Sequence, residues 1–132
     1  MSLLEDAARH IGYAFDIQDD IIDTFASKDQ YGRDPCGDIT KGKKPLHIII
    51  ALERDRHLAS IMKGGDELTA AKIGEIQEIV RSSGALDAAK SISREHAKEA
   101  ERLITMTGMN EEAKDFFVSF IKYVDESLDW YK

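Results

Sequence analysis

The sequence is short of several things. It has one cysteine, Cys36, so no internal disulfide can form, and nothing points to an oxidising compartment. It has two prolines in 132 residues, so little interrupts helix. No apolar run approaches the roughly 20 residues of a membrane-spanning helix, and no stable membrane insertion is expected. Positive charge is in deficit. Lys and Arg total 18 against 25 Asp and Glu, a net charge of −7, which excludes general nucleic-acid binding by a basic surface. The four histidines, His10, His47, His57 and His96, show no zinc-ligand spacing and read as helix-surface or partly buried residues. The glycines match neither the P-loop nor the dinucleotide fingerprint. Alternating strand patterns, repeats and low-complexity tracts are absent. Residues Met1 to Asp6 lack the basic and apolar regions of a signal peptide, so the expected location is cytoplasmic.

What is present is helical periodicity. Ile11, Ala14, Phe15, Ile21, Ile22 and Phe25 recur at helical spacing over Leu3 to Phe25. From Ala26 to Lys44 the pattern stops, and three glycines, a proline and many polar residues predict a long loop. A second helix is expected from Pro45 to about Lys63, ended by Gly64-Gly65. A third is expected after an Asp66 cap, reaching about Ser82 with Leu68, Ile76, Ile79 and Val80 on one face. A fourth spans about Ala85 to Thr107, and a fifth about Glu111 to Trp130, with Phe116, Phe117, Phe120, Ile121, Val124 and Leu128 at spacings of three and four and its phenylalanines read as core. The fold class expected is all-α, a helical bundle of about five helices, and the length suits one domain.

Asp16, Asp19, Asp20 and Asp23 are spaced i, i+3, i+4, i+7 and share one helix face. Like charges at this spacing repel by a few tenths of a kcal/mol per pair. No Lys or Arg lies between Ile11 and Thr24 to relieve them. Alone, the stripe fits either a solvated acidic face or a face that holds hard divalent cations. The following segment carries Lys28, Arg33, Lys41, Lys43 and Lys44 among Gly32, Gly37 and Gly42. Alone, it fits either an ordinary polar loop or a phosphate cradle, in which glycine allows close backbone approach and the cations bond phosphate oxygens. Together, an acidic metal face followed by a basic loop is what a metal-bridged diphosphate requires. Cys36 within this loop is read as inert, and Trp130 and Tyr131 as packing residues.

The stretch Ile11 to Glu53, IGYAFDIQDDIIDTFASKDQYGRDPCGDITKGKKPLHIIIALE, resembles the second aspartate-rich region of the trans-prenyl diphosphate synthases. Gly12, Phe15, the DDxxD of Asp19, Asp20 and Asp23, then Gly32, Asp38 and Gly42-Lys43 follow the family pattern in order and spacing. Ser83-Gly84-Ala85-Leu86 also resembles the family's carboxyl-terminal region. The resemblance implies a partial isoprenoid-synthase fold and Mg²⁺ as cofactor. Asp19 would be the first metal ligand, supported by Asp20 and Asp23. Lys43 and Arg33 would contact the substrate diphosphate, and Asp38 would order the loop. The implied reaction condenses an allylic diphosphate with isopentenyl diphosphate.

Residues 3–44 would then be the metal- and diphosphate-binding helix and loop, and residues 45–132 the packing helices. The sequence departs from the pattern in three places. Arg33 replaces a lysine, Asp16 a glutamine, and Pro45-Leu46-His47 stands where Thr-Leu-Pro is usual. The family's first aspartate-rich motif and its isopentenyl diphosphate site have no counterpart here, so the chain is expected to be the carboxyl-terminal portion of one domain and inactive alone. Product chain length, set largely beside that first motif, is not encoded here. Apolar faces left without their usual neighbours predict self-association as a homo-oligomer, such as a homodimer. Two other readings are a non-catalytic helical subunit of a heteromeric prenyl synthase and a terpene cyclase fragment. The Gly-Arg and Gly-Lys features argue against the cyclase.

Overall fold

A computed structural model describes residues 2–63 and 68–126. Among these residues there are eight helices and no strand, an all-α architecture. They are α1 Leu3–Phe25, α2 Lys28–Tyr31, α3 Gly37–Thr40, α4 Leu46–Arg54, α5 His57–Met62, α6 Ala70–Ser82, α7 Ala85–Thr105 and α8 Glu111–Glu126. The chain forms two compact units. One comprises residues 2–18 and 90–126, the other residues 19–89.

Eight helices replace the expected five for two local reasons. The predicted loop from Ala26 to Lys44 contains two short helices. The first, α2, opens with a capping box in which the Ser27 hydroxyl accepts the Gln30 amide and the Gln30 side chain accepts the Ser27 amide. The predicted second helix is split at Asp55, which is extended at φ −140°. Its carboxylate accepts the His57 amide at 2.9 Å, so a side chain that competes for backbone hydrogen bonds ends α4 and starts α5. Pro45 caps α4 from outside instead of forming its first helical residue, and its carbonyl accepts the Ile48 and Ile49 amides. The predicted Asp66 cap lies outside the described residues. Thr69 caps α6, accepting the Lys72 amide at 3.2 Å.

The first unit packs Ala7 of α1 against Ala97, Ala100, Leu103 and Ile104 of α7 and Ile121 of α8. Asn110 caps α8 by accepting the Ala113 amide at 2.8 Å. The phenylalanines of α8, expected in the core, are largely outside it. Ile121 and Val124 are buried, but Phe116 is 67% and Phe120 44% exposed, and Phe15 on α1 is 54% exposed. Leu128, Trp130 and Tyr131 lie outside the described residues.

The second unit buries Ile21, Ile22 and Phe25 from α1, Ile48 and Ala51 from α4, Leu58 and Ile61 from α5, and Ile76, Ile79 and Val80 from α6. At the end of α1 the carbonyl of Thr24, left without a partner in its own helix, accepts a hydrogen bond from the Gln77 side-chain Nε2 of α6 at 2.9 Å. Arg81 stacks over the Phe25 ring, 4.8 Å from its centroid. These contacts fix the end of the helix that carries the aspartates.

Candidate functional site

The aspartates sit on one face of α1 at graded depth. Asp16 and Asp19 are exposed, Asp20 is half-buried, and Asp23 is only 6% exposed. The last turn of α1 holds no basic residue, and the negative end of the helix dipole lies there. Negative charge is therefore concentrated where the backbone also favours a cation.

Asp23 is the joint between this face and the loop. Its Oδ2 accepts the backbone amide of Asp38 at 2.9 Å, and its own carbonyl accepts the Cys36 amide at 2.8 Å. Asp38 is in the first turn of α3, whose N-cap residue, Cys36, makes no side-chain cap. Asp23 thus supplies from α1 the acceptor that an N-cap side chain would provide. The approach is close at Gly37, where a Cβ would lie 3.3 Å from Asp23 Oδ1. Burial raises the Asp23 pKa, opposed by the Asp38 amide and the charge of Arg33, and reinforced by the charges of Asp38 and Asp19.

From α3 the chain turns into the Gly-Lys pair through a Schellman motif. The Lys43 amide bonds the Asp38 carbonyl at 3.0 Å, and the Gly42 amide bonds the Ile39 carbonyl at 3.0 Å. The turn needs a left-handed residue, and Gly42 is at φ +88°. The Asp38 carboxylate lies 3.7 Å from the Lys43 ammonium, which remains largely exposed. A hydrogen-bonded path therefore runs from Asp23 through Asp38 to Lys43. Arg33 is exposed, and its charge acts on Asp23.

These bonds join Asp23, Asp38 and Lys43 directly. Asp19 and Asp20 share their helix face, and Arg33 joins by charge. Among the described residues no three histidine, cysteine or carboxylate side chains converge into a ready-made metal cage. The donor set is still of a kind that suits Mg²⁺. Such ions prefer carboxylate oxygens, engage one or two of them, and keep water and phosphate ligands.

Sequence reasoning missed the interior behind this face. His47 is fully buried, contrary to the expected surface or partly buried setting. Its Nε2 lies 2.7 Å from the Thr24 hydroxyl, and its Nδ1 has no partner. Thr24 Oγ1 also reaches the Asp20 carbonyl at 3.3 Å. With the hydroxyl donating there, Nε2–H donates to Thr24, and the orphan Nδ1 is an acceptor lone pair. Burial lowers the His47 pKa to about 4, so the ring is neutral. Cys36 is buried at φ +63° with its thiol pKa pushed up to about 12, which makes it unreactive. No helix of the described residues is long and apolar enough to cross a membrane.

The Polyprenyl synthetase family profile matches residues 1–83. The chain is 38% identical over 109 residues to a short chain isoprenyl diphosphate synthase of Methanothermobacter thermautotrophicus, covering 78% of this chain and 33% of that protein. It is 29% identical over 121 residues to a prenyl transferase of Cyanophora paradoxa, covering 91% of this chain and 36% of that one. It is 26% identical over 102 residues to heptaprenyl diphosphate synthase component 2 of Geobacillus stearothermophilus, covering 77% and 32%. The chain spans about a third of the length of these relatives. The aspartate face, its loop and the matched segment coincide, and the chain belongs to the polyprenyl synthetase family.

Proposed function

We propose that this chain is the second metal- and diphosphate-binding portion of a trans-prenyltransferase. The reaction joins an allylic diphosphate to isopentenyl diphosphate. The allylic carbon–oxygen bond breaks, a carbon–carbon bond forms, diphosphate leaves and a proton is lost. The observation that carries this reading is the link from Asp23 through Asp38 to Lys43, which ties an acidic helix face to an exposed cation.

In this reading Asp19 is the first ligand for Mg²⁺, and Asp20 and Asp23 support it. Held by these carboxylates, Mg²⁺ would supply charge neutralisation for the departing diphosphate. Lys43 and Arg33 supply charge-assisted bonds to the diphosphate. Asp38 orders the loop, as its bonds to Asp23 and Lys43 support. The first aspartate-rich motif and the isopentenyl diphosphate site belong to sequence outside these 132 residues, and the chain alone is inactive. The cytoplasm is the proposed location.

A second reading has one observation behind it. A relative is named as a component of a heptaprenyl diphosphate synthase, which fits a helical subunit that works beside a partner. Mg²⁺-dependent calorimetric binding of a bisphosphonate separates the two. The enzyme reading predicts binding that falls at least roughly tenfold in Asp19→Ala and in Lys43→Ala. An absence of metal-dependent binding, even with an amino-terminal portion of a relative supplied, leaves the subunit reading.

A further inference from the structure

Thr24 on α1 and His47 on α4 meet inside the second unit, and both side chains are fully buried. Thr24 Oγ1 and His47 Nε2 are 2.7 Å apart. Phe25 flanks the imidazole, with ring centroids 6.4 Å apart. The proposed chemistry uses neither Thr24 nor His47. A buried hydroxyl or imidazole left unpaired bears the full cost of leaving water, so the pair favours the one arrangement of α1 and α4 that joins them. The place is also a departure from the family pattern. His47 stands where proline is usual, and proline has no side-chain donor.

The position of the pair in the chain gives it a role. Asp23 and Thr24 are neighbours on α1, and each holds one end of the segment that carries the Gly-Lys turn. Asp23 holds the near end, accepting the Asp38 amide at 2.9 Å. Thr24 holds the far end at His47. Only the eight residues from Ile39 to Leu46 lie between these two attachments, and Gly42, Lys43 and Lys44 are among them. Thr24 is itself held on both sides. Its hydroxyl donates to the Asp20 carbonyl at 3.3 Å, and its carbonyl accepts from Gln77 Nε2 at 2.9 Å. A shift of His47 would therefore reach the last turn of α1, with Asp20 and Asp23, and the turn with Lys43.

We propose that His47 is a positioning residue for the aspartate face and the Gly-Lys turn, acting through Thr24 to set the spacing between the carboxylates and Lys43. Its part in binding rests on the diphosphate reading above. His47 touches no substrate. Its Nε2–H donates to Thr24, and with Nδ1 unpartnered that bond alone orients the polar atoms of the ring.

The test is a double-mutant cycle on the full chain, with inorganic diphosphate and Mg²⁺ as the probe and calorimetry as the readout. His47→Leu and Thr24→Val should each weaken metal-dependent binding by roughly fivefold or more. The double variant should lose no more than either single variant, because both remove one bond. His47→Gln places a side-chain amide donor near the Nε2 position and should recover most of the affinity. A merely structural pair would lower the denaturant midpoint and leave the affinity of the folded variants unchanged, and that result overturns the proposal. Additive losses overturn the route through Thr24. Amide hydrogen exchange needs no ligand. The Lys43 amide, bonded to the Asp38 carbonyl at 3.0 Å, should exchange roughly tenfold faster in Thr24→Val, a near-isosteric change, than in wild type. A wild type that binds no magnesium diphosphate overturns the proposal together with the reading beneath it. Binding by wild type with unchanged Lys43 exchange in Thr24→Val overturns the positioning role alone. A measurement on wild type covers the case of a misfolded variant. Nitrogen-15 spectra should show the His47 ring as its Nε2–H tautomer, and an Nδ1–H tautomer breaks the route to Asp20 and overturns the proposal.

Discussion

Asp23 Oδ2 accepts the Asp38 amide at 2.9 Å across fifteen residues of sequence, so a residue of the acidic motif also caps the helix that presents the basic loop. This dual duty separates two substitutions. Asp23→Asn keeps an acceptor for the Asp38 amide and removes a buried charge. Asp23→Ala removes the acceptor and should lose about 1 kcal/mol of stability. The raised pKa fixes the sign of the pH effect. The native state holds this proton more tightly than the unfolded chain, so the stabilisation is present below the ordinary carboxylate pKa and lost as pH rises through the raised value. At neutral pH in chelator, Asp23→Asn should unfold at the same denaturant midpoint as wild type or a higher one. A clearly lower midpoint for Asp23→Asn would contradict this account.

His47 gives the opposite pH trend. Its folded pKa of about 4 lies below its unfolded value near 6.5, so the unfolded state binds the extra proton first. Its stabilisation is complete above about pH 6.5 and falls away as pH drops towards about 4, by up to about 3 kcal/mol. Thermal melts across this range should show the decline. His47→Leu should flatten it, and an unchanged slope in that variant would refute the assignment to His47.

Gly42 should be sensitive for conformational reasons alone. It sits at φ +88° with nothing within 4 Å of a built Cβ, so Gly42→Ala meets no clash. The strained turn should lower stability by about 1 kcal/mol. It should also shift Lys43 and weaken metal-dependent diphosphate binding more than Gly12→Ala, a mid-helix change with equally open space. Equal effects of the two substitutions on binding would count against the turn's role.

On α8, Phe116, Phe120 and Tyr123 are exposed at i, i+4 and i+7, and form one apolar line. We propose that this line drives self-association. Light scattering after size exclusion should show mass rising with concentration. Phe116→Glu together with Phe120→Glu should weaken association by roughly tenfold or more, since charges are disfavoured at interface centres. A stable wild-type monomer at high concentration would sink the prediction.

How much of this the sequence disclosed varies by element. The α1 bounds, Leu3 to Phe25, follow from periodicity uninterrupted by proline or glycine pairs. The all-α class follows from the same signal in α6, α7 and α8. The break at Asp55 was hidden, because one aspartate in an apolar run reads as a surface position until its side chain is seen to bond the His57 amide. The α2 capping box was visible as Ser27 and Gln30, but loop composition masked it.

The exposed Phe116 and Phe120 show the limit of periodicity. It marks which residues share a face, not whether anything covers that face. The acidic stripe and the Gly-Lys pair were legible by spacing. The Asp23–Asp38 bond was not, because it depends on a left-handed Cys36 and on the close approach at Gly37. His47 and Thr24, 23 residues apart, were likewise joined only by tertiary packing.

The central claim is that one face of α1 and the Gly-Lys turn together take a magnesium-bridged diphosphate. Backbone amide shifts of the isotope-labelled chain test it residue by residue. Adding inorganic diphosphate with Mg²⁺ should move Asp19, Asp20, Gly42 and Lys43 together, with either component alone producing little. Shifts confined to scattered surface lysines, or unchanged when Mg²⁺ is chelated, would contradict the account.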